Sequence, residues 1–187
     1  HPNGMTFSAF DGDGHEVESW TVYSVGGGAL SEGGEIRWLT DVKDVYKKNT
    51  LKEILTWCDN HGRSYWEYVD ECEESSIWDY LMEVWKAMQE SVERGLDHEG
   101  ALPGPLNLPR KASTYFVKAQ GYKPSLASRC LVSAYALAVS EENASGGTIV
   151  TAPTCGSCGV MPAVLYHMSR SHEVSDTRIL HALATAG

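Results

Sequence analysis

The sequence predicts a mainly α fold, in which a small N-terminal β-hairpin element is followed by a helical domain. Three observations carry that prediction. Apolar residues alternate on either side of Asp11-Gly-Asp-Gly14, which is the period-two signature of a hairpin and its turn. Ile77, Leu81, Val84, Trp85, Met88 and Val92 form one apolar stripe at helical spacing. Residues 126–139 are apolar almost all round, as in a helix buried at the centre of a domain.

The elements follow in order. Met5, Phe7 and the alternation over 17–25 make the two hairpin strands, and Gly26-Gly-Gly28 ends the second. A triple glycine can cradle a phosphate or carboxylate, but a bulge or strand exit is the simpler reading. Residues 36–39 add another short strand. From residue 49 the chain is helical. Asn49 or Thr50 caps a helix that runs to Asn60, and Gly62 ends it. A second, short helix covers 64–73. The third carries the apolar stripe; Ser76 with Asp79 resembles a capping box at its start, and Arg94 and Gly95 close it. Its Trp and Met residues read as core. Residues 96–109 carry three prolines and two glycines and form an ordered loop. A fourth helix begins near Arg110, and Pro124 with Ser125 opens the central one. Glu141-Glu-Asn-Ala-Ser-Gly-Gly147 ends that helix, and the β-branched run 148–151 delivers the chain to a glycine-rich loop. Two last helices cover 161–169 and 175–186. The boundary between the β element and the helical domain falls at residues 40 and 41.

The 187 residues suffice for one packed domain or two small ones, and the formal net charge is -10. That charge disfavours nucleic acid and anionic membranes as partners, since both need a basic surface. No apolar run is long enough to span a bilayer. The chain begins with His1 and no signal peptide precedes it, so the sequence reads as an internal fragment. Five cysteines, an odd count, show no disulfide framework. Cys58, Cys72 and Cys130 fall inside predicted helices, where small buried hydrophobes are expected. Reduced thiols point to the cytoplasm.

Cys155 and Cys158 differ, because Thr151-Ala-Pro-Thr-Cys-Gly-Ser-Cys-Gly-Val-Met-Pro-Ala-Val-Leu165 puts them on a loop directly before a helix. Pro162 suits the first helical turn. The helix N-terminus and unpaired backbone N–H groups there stabilise a thiolate. Gly156 and Gly159 allow a bulky ligand close to the backbone. The spacing leaves several readings open. A thiol–disulfide enzyme carries C-x-x-C at a helix start, but usually after a strand in a βαβ unit. A zinc knuckle needs a second ligand pair, which the chain lacks. An iron–sulfur cluster could take one or both thiolates, with N–H···S contacts from Ser157 and Gly159 and further cysteines from elsewhere. A structural thiol pair is the fourth reading.

The longer run Glu141-Glu-Asn-Ala-Ser-Gly-Gly-Thr-Ile-Val-Thr-Ala-Pro-Thr-Cys-Gly-Ser-Cys-Gly-Val-Met-Pro-Ala-Val-Leu165 resembles the α (catalytic) domain of the bacterial iron–sulfur-dependent L-serine dehydratases. His1-Pro-Asn-Gly-Met5 and Tyr23-Ser-Val-Gly-Gly-Gly28 resemble the end of that family's β domain. Ile179-Leu-His-Ala-Leu-Ala-Thr-Ala-Gly187 resembles the helix before the family's remaining cluster cysteines. The resemblance touches the whole chain, strongly at both ends and around the loop, and weakly between residues 32 and 100. It implies that 1–40 are the C-terminal end of an α+β domain of substrate or regulatory type. Residues 41–187 would be the N-terminal part of the helical catalytic domain, so that the fold is incomplete at both ends. It implies a [4Fe-4S] cluster, with the family's Gly-x-Cys-Gly ligand on Cys158. Cys155 stands where relatives commonly carry Asn or Ala, a neighbour first and the alternative ligand second. The other cluster cysteines, the serine-rich substrate loop with its histidine, and the catalytic base are expected outside the chain, and the fragment alone is expected to be inactive.

The implied reaction is β-elimination of water from L-serine, giving pyruvate and ammonia, in cytoplasmic amino-acid catabolism and gluconeogenesis. A homo-oligomer and a small-molecule substrate are the expected partners. The chemistry is coherent: hydroxide is a poor leaving group, and an iron with an open position is a Lewis acid for it. Pyridoxal phosphate would be the other route, through a Schiff-base lysine. Lys111 is the only lysine in a suggestive setting; it reads as solvated or carboxylate-pairing, and the resemblance implies no pyridoxal phosphate. Asn143 and Thr154 are the candidate substrate-binding groups. The competing reading has Asn143 capping its helix and Thr154 bonding its own loop. His1 is a candidate for the domain junction, His167 and His181 read as core or surface residues, and 70–74 as a solvated acidic face. The alternative from another class is a non-catalytic segment whose cysteine pair binds zinc or forms a structural or redox thiol pair.

Overall fold

A computed structural model describes residues 3–26, 29–38, 45–48, 50–151 and 155–186. The chain divides into two compact units, His1–Asp44 and Val45–Gly187.

The first unit is a four-stranded antiparallel sheet in the order β1-β2-β3-β4. Its strands are β1 (Gly4–Phe10), β2 (Glu16–Gly26), β3 (Ala29–Glu32) and β4 (Glu35–Trp38). The hairpin turn is the expected one: Asp11 Oδ1 accepts the N–H groups of Asp13 and His15 at 3.0 and 2.8 Å, an Asx turn. Alternation sorts the hairpin into two faces. Met5 lies opposite Val22 and Phe7 opposite Trp20, with the Phe7 and Trp20 rings stacked at 5.8 Å. On the other face the Thr6 and Thr21 hydroxyls meet at 2.9 Å. The second strand ends at Gly26 as read, and a strand is present near 36–39. The strand β3 was not foreseen. Its signal is Gly33-Gly34, both at positive φ, which joins β3 to β4 as a two-residue hairpin turn.

The second unit is helical. Thr50 caps α1 (Leu51–His61) in a reciprocal capping box with Glu53, and Gly62 closes it in the left-handed conformation. At the start of α2 (Tyr65–Cys72) the Glu67 carboxylate accepts the Ser64 N–H at 2.8 Å. The long helix α3 (Ser76–Asp97) departs from expectation at both ends. Its N-cap is Ser75, which makes no side-chain cap bond, so Ser76 and Asp79 form no capping box. Nor does Gly95 stop it. Gly95 is buried in the last turn, two residues before the helix ends at Asp97, and a Cβ there would run into the backbone of Ala138, so the residue is a close-approach point between helices.

The loop after α3 is pinned by Leu102 N–H to Leu108 O at 2.7 Å and Arg110 N–H to Gly100 O at 2.8 Å. The next helix, α4 (Ala112–Gln120), begins two residues after Arg110, with Lys111 as its N-cap. The central helix α5 (Pro124–Ala144) packs on α3, on α4 and on α6 (Val160–His172). Residues 148–151 form no strand. The last helix, α7 (Asp176–Ala186), is tied to α3 by Trp85 Nε1–H donating to Asp176 Oδ1 at 3.2 Å. Trp85, Val92, Val139, Tyr166, Ile179 and Cys158 belong to the main core. Among the described residues no helix is long and apolar enough to cross a membrane.

Candidate functional site

The site is built on the last turn of α5. Glu141 and Glu142 are both buried there, at the end of a helix that is otherwise apolar. A buried carboxylate must find donors or charge partners, and each finds a different set. Glu141 Oε1 accepts the backbone N–H groups of Lys111 and Ala112 at 2.6 and 3.3 Å. It thereby caps α4, whose own N-cap residue supplies no side-chain bond. Its Oε2 is buried with no hydrogen-bond partner among the described residues. Lys111 thus meets a carboxylate through its backbone, and the residue is exposed.

Glu142 is the centre of a cationic cluster. Arg94 Nε–H donates to Oε2 at 3.3 Å, and His98 Nδ1 and Arg110 Nη1 lie 2.8 and 3.3 Å from Oε1. Burial pushes the carboxyl up, but the bonds from His98, Arg110 and Arg94 outweigh it and hold it below the ordinary carboxylate range. The two arginines also clamp the chain leaving α5. Arg94 Nη2 donates to Thr148 O and Arg110 Nη2 to the Ser145 hydroxyl, both at 2.6 Å.

Beyond this clamp lies the cysteine loop. Cys155–Ser157 form one 3₁₀ turn, and Cys158 follows at the amino end of α6. Cys155 is exposed, whereas Cys158 is 2% exposed and part of the core. The pair is therefore unequal. Burial pushes the Cys158 thiol up and Cys155 adds to this, while the N–H groups of Cys158 and Gly159 oppose them. The expected stabilisation of the thiolate is present in those two N–H groups but is outweighed by burial. Gly159 lies directly against the Ala136 carbonyl, where a Cβ would collide. Pro162 falls in the first turn of α6 as read.

Asn143 does not cap its helix. Its Nδ2 donates to Cys155 O at 3.1 Å. Thr154 and His1 lie outside the described residues. His167 is buried, with its Nε2 2.7 Å from the Ser128 hydroxyl. His181 stacks on Trp66 at 3.7 Å. In the acidic stretch Asp70 accepts from Trp78 Nε1 at 2.9 Å, and Glu71 pairs with Arg63 at 3.1 Å. Cys58 is buried and Cys72 and Cys130 are half-buried, all free thiols.

Among the described residues no three of His, Cys, Asp and Glu converge as a metal site. Cys158 fits a soft, thiolate-preferring centre as one ligand on a close-packed loop; the other ligands of such a centre would come from elsewhere. Sequence reasoning missed the Glu142 cluster and the capping by Glu141. Two adjacent acids finishing a buried helix were the available signal.

The sequence family described as "Serine dehydratase alpha chain" matches residues 27–187. The chain is 37% identical to the L-serine dehydratase of Streptomyces coelicolor over an alignment that covers 100% of the chain and 44% of the relative. Against the L-serine dehydratase TdcG of Escherichia coli the figures are 37%, 100% and 44%. Against the L-serine dehydratase of Haemophilus influenzae they are 37%, 91% and 40%. The chain thus spans less than half the length of these relatives.

Proposed function

The chain belongs to the serine dehydratase alpha-chain family, and on that premise we infer that it forms part of an L-serine ammonia-lyase. The reaction eliminates water from L-serine, and the enamine product tautomerises and hydrolyses to pyruvate and ammonia. The observation that carries the reading is the placement of Cys158, buried at the amino end of α6 with two N–H groups beside its sulfur. In this reading Cys158 holds one corner of a [4Fe-4S] cluster, and the exposed Cys155 is its neighbour rather than a second ligand.

When bound, such a cluster with one iron free of cysteine supplies a Lewis acid for the substrate hydroxyl and carboxylate. The chain's own residues do the rest of the local work. The Glu142 cluster fixes the exit of α5, and the Gly159–Ala136 contact seats the loop on α5. Asn143 and Thr154 stand beside the cysteine in sequence or space and are the polar groups offered to substrate. The remaining cluster ligands and the base that takes the Cα proton belong to the rest of the relatives' length. Residues 1–40 then close a β domain and 41–187 open the catalytic one. The five free cysteines suit a reducing cytoplasm, and the enzyme works as a homo-oligomer without pyridoxal phosphate.

The test uses a polypeptide of the relatives' full length containing this chain, reconstituted anaerobically with iron and sulfide. It should form pyruvate from L-serine and lose that activity on brief aeration. Cys158→Ser should abolish retention of iron and acid-labile sulfide, while Cys155→Ser keeps most of it. Equal iron loss in both variants would overturn the one-ligand assignment, and zinc in place of iron would favour a structural metal site.

A further inference from the structure

The last turn of α5 carries three consecutive side chains that serve three different elements. Successive residues on a helix point about 100° apart. Glu141 accordingly reaches the start of α4, Glu142 the arginine cluster, and Asn143 the cysteine turn. The Asn143 contact falls on a single atom of consequence. Cys155 O accepts Asn143 Nδ2–H at 3.1 Å and also the Cys158 backbone N–H at 3.5 Å. The bond that closes the turn is long by ordinary standards, so the side-chain bond is the shorter of the two holding that carbonyl. On the far side Gly159 is seated against Ala136 O. The segment 155–159 is therefore held to α5 at both ends, by a side chain at one and by backbone contact at the other.

We propose that Asn143 is a positioning residue for Cys158. Its amide fixes the Cys155 carbonyl, and through the turn that carbonyl sets the direction of the Cys158 thiol before any ligand arrives. A ligating group held in advance loses less freedom on binding. The consequence for a cluster rests on the reading of Cys158 as a cluster ligand, but the latch is a property of the chain alone.

The substitution that isolates the latch is Asn143→Asp, which keeps the shape and removes the donor. Asn143→Gln keeps the donor on a longer stem and controls for a general loss of helix structure. In the 187-residue chain, amide hydrogen exchange over residues 155–159 is measured against the amides of α3. Asn143→Asp should speed exchange in the turn by about fivefold or more, the effect of losing one hydrogen bond, with α3 unchanged and Asn143→Gln intermediate. Equal exchange in wild type and Asn143→Asp would overturn the latch. In the full-length polypeptide, the Asn143→Asp cluster should be stripped several-fold faster by an iron chelator. A raised KM with unchanged stripping and unchanged exchange would make Asn143 a substrate contact instead. If the wild-type polypeptide takes up no iron and sulfide, the ligand reading of Cys158 falls, and the exchange result still decides the latch by itself.

Discussion

Glu142 shows how a buried charge can be made structural. Its side chain is 4% exposed and meets two guanidinium groups and an imidazole. Arg110 is nearly as buried, so removing the negative charge leaves an uncompensated cation inside the protein. Glu142→Gln should therefore cost about 2–4 kcal/mol at neutral pH, the lower end of a broken buried pair because Arg94 and His98 are partly solvated. The pH dependence has a definite sign. The folded carboxyl titrates below the unfolded one, so its stabilisation is complete above the ordinary carboxylate range and is lost as pH falls through the folded value. Urea midpoints of wild type should drop through that window, and Glu142→Gln should lack this part of the drop. Equal midpoints for the two proteins at neutral pH would mean the cluster is solvated and contributes little. The same residue marks what the sequence concealed about the site. The cysteine loop was legible because glycine spacing, proline and a helix start are local features. The cluster was not, because Arg110 and Arg94 lie 32 and 48 residues from Glu142, and Arg94 had a sufficient local reading as a helix end.

Among the elements, the crossing of α3 and α5 decides the geometry beneath the site, and Gly95 is its pivot. Two effects compete at that position. Alanine is better than glycine in a helix by about 1 kcal/mol, whereas a Cβ would collide with backbone atoms of Ala138 that cannot rotate away. Overpacking costs about 1–3 kcal/mol even where side chains can adjust, so Gly95→Ala should destabilise the protein on balance. A urea midpoint raised by Gly95→Ala would show that the helices can separate freely. Propensity reasoning reads an isolated glycine near a polar loop as a stop, and here packing overrides it. Elements with their punctuation in the sequence were legible: the hairpin, α1 with its capping box, the proline start of α5. The strand β3 was passed over because four residues give too short a pattern, although Gly33-Gly34 was available to mark it. Residues 148–151 have strand-like side chains but no strand partner among the described residues, and Thr148 O is taken by Arg94.

Over the whole molecule the two units differ in how much apolar surface they bury within themselves. Among the described residues of the sheet unit, Val22 and Ala29 are the buried apolar ones, while Met5, Phe7 and Trp20 are about half exposed. Register puts Met5 opposite Val22 and Phe7 opposite Trp20, so these residues share one face. Full burial of one aliphatic or aromatic side chain contributes about 1.5–3 kcal/mol, and ordering one residue of backbone costs about 1–2 kcal/mol. A sheet with so little buried surface cannot offset the ordering of its strands unless something covers that face. The helical unit has a continuous core running from Trp85 to Ile179 and meets the same cost many times over. Amides of β1 and β2 in the 187-residue chain should therefore exchange about a hundredfold faster than those of α3 and α5, and protection should rise in a polypeptide of the relatives' full length. Equal protection of sheet and helices in the 187-residue chain would mean the apolar face is already covered there, and sedimentation would then show whether a second copy covers it. A sheet that orders only when covered would make folding of the first unit depend on chain the helical unit does not need, so the cysteine loop and its clamp should form first.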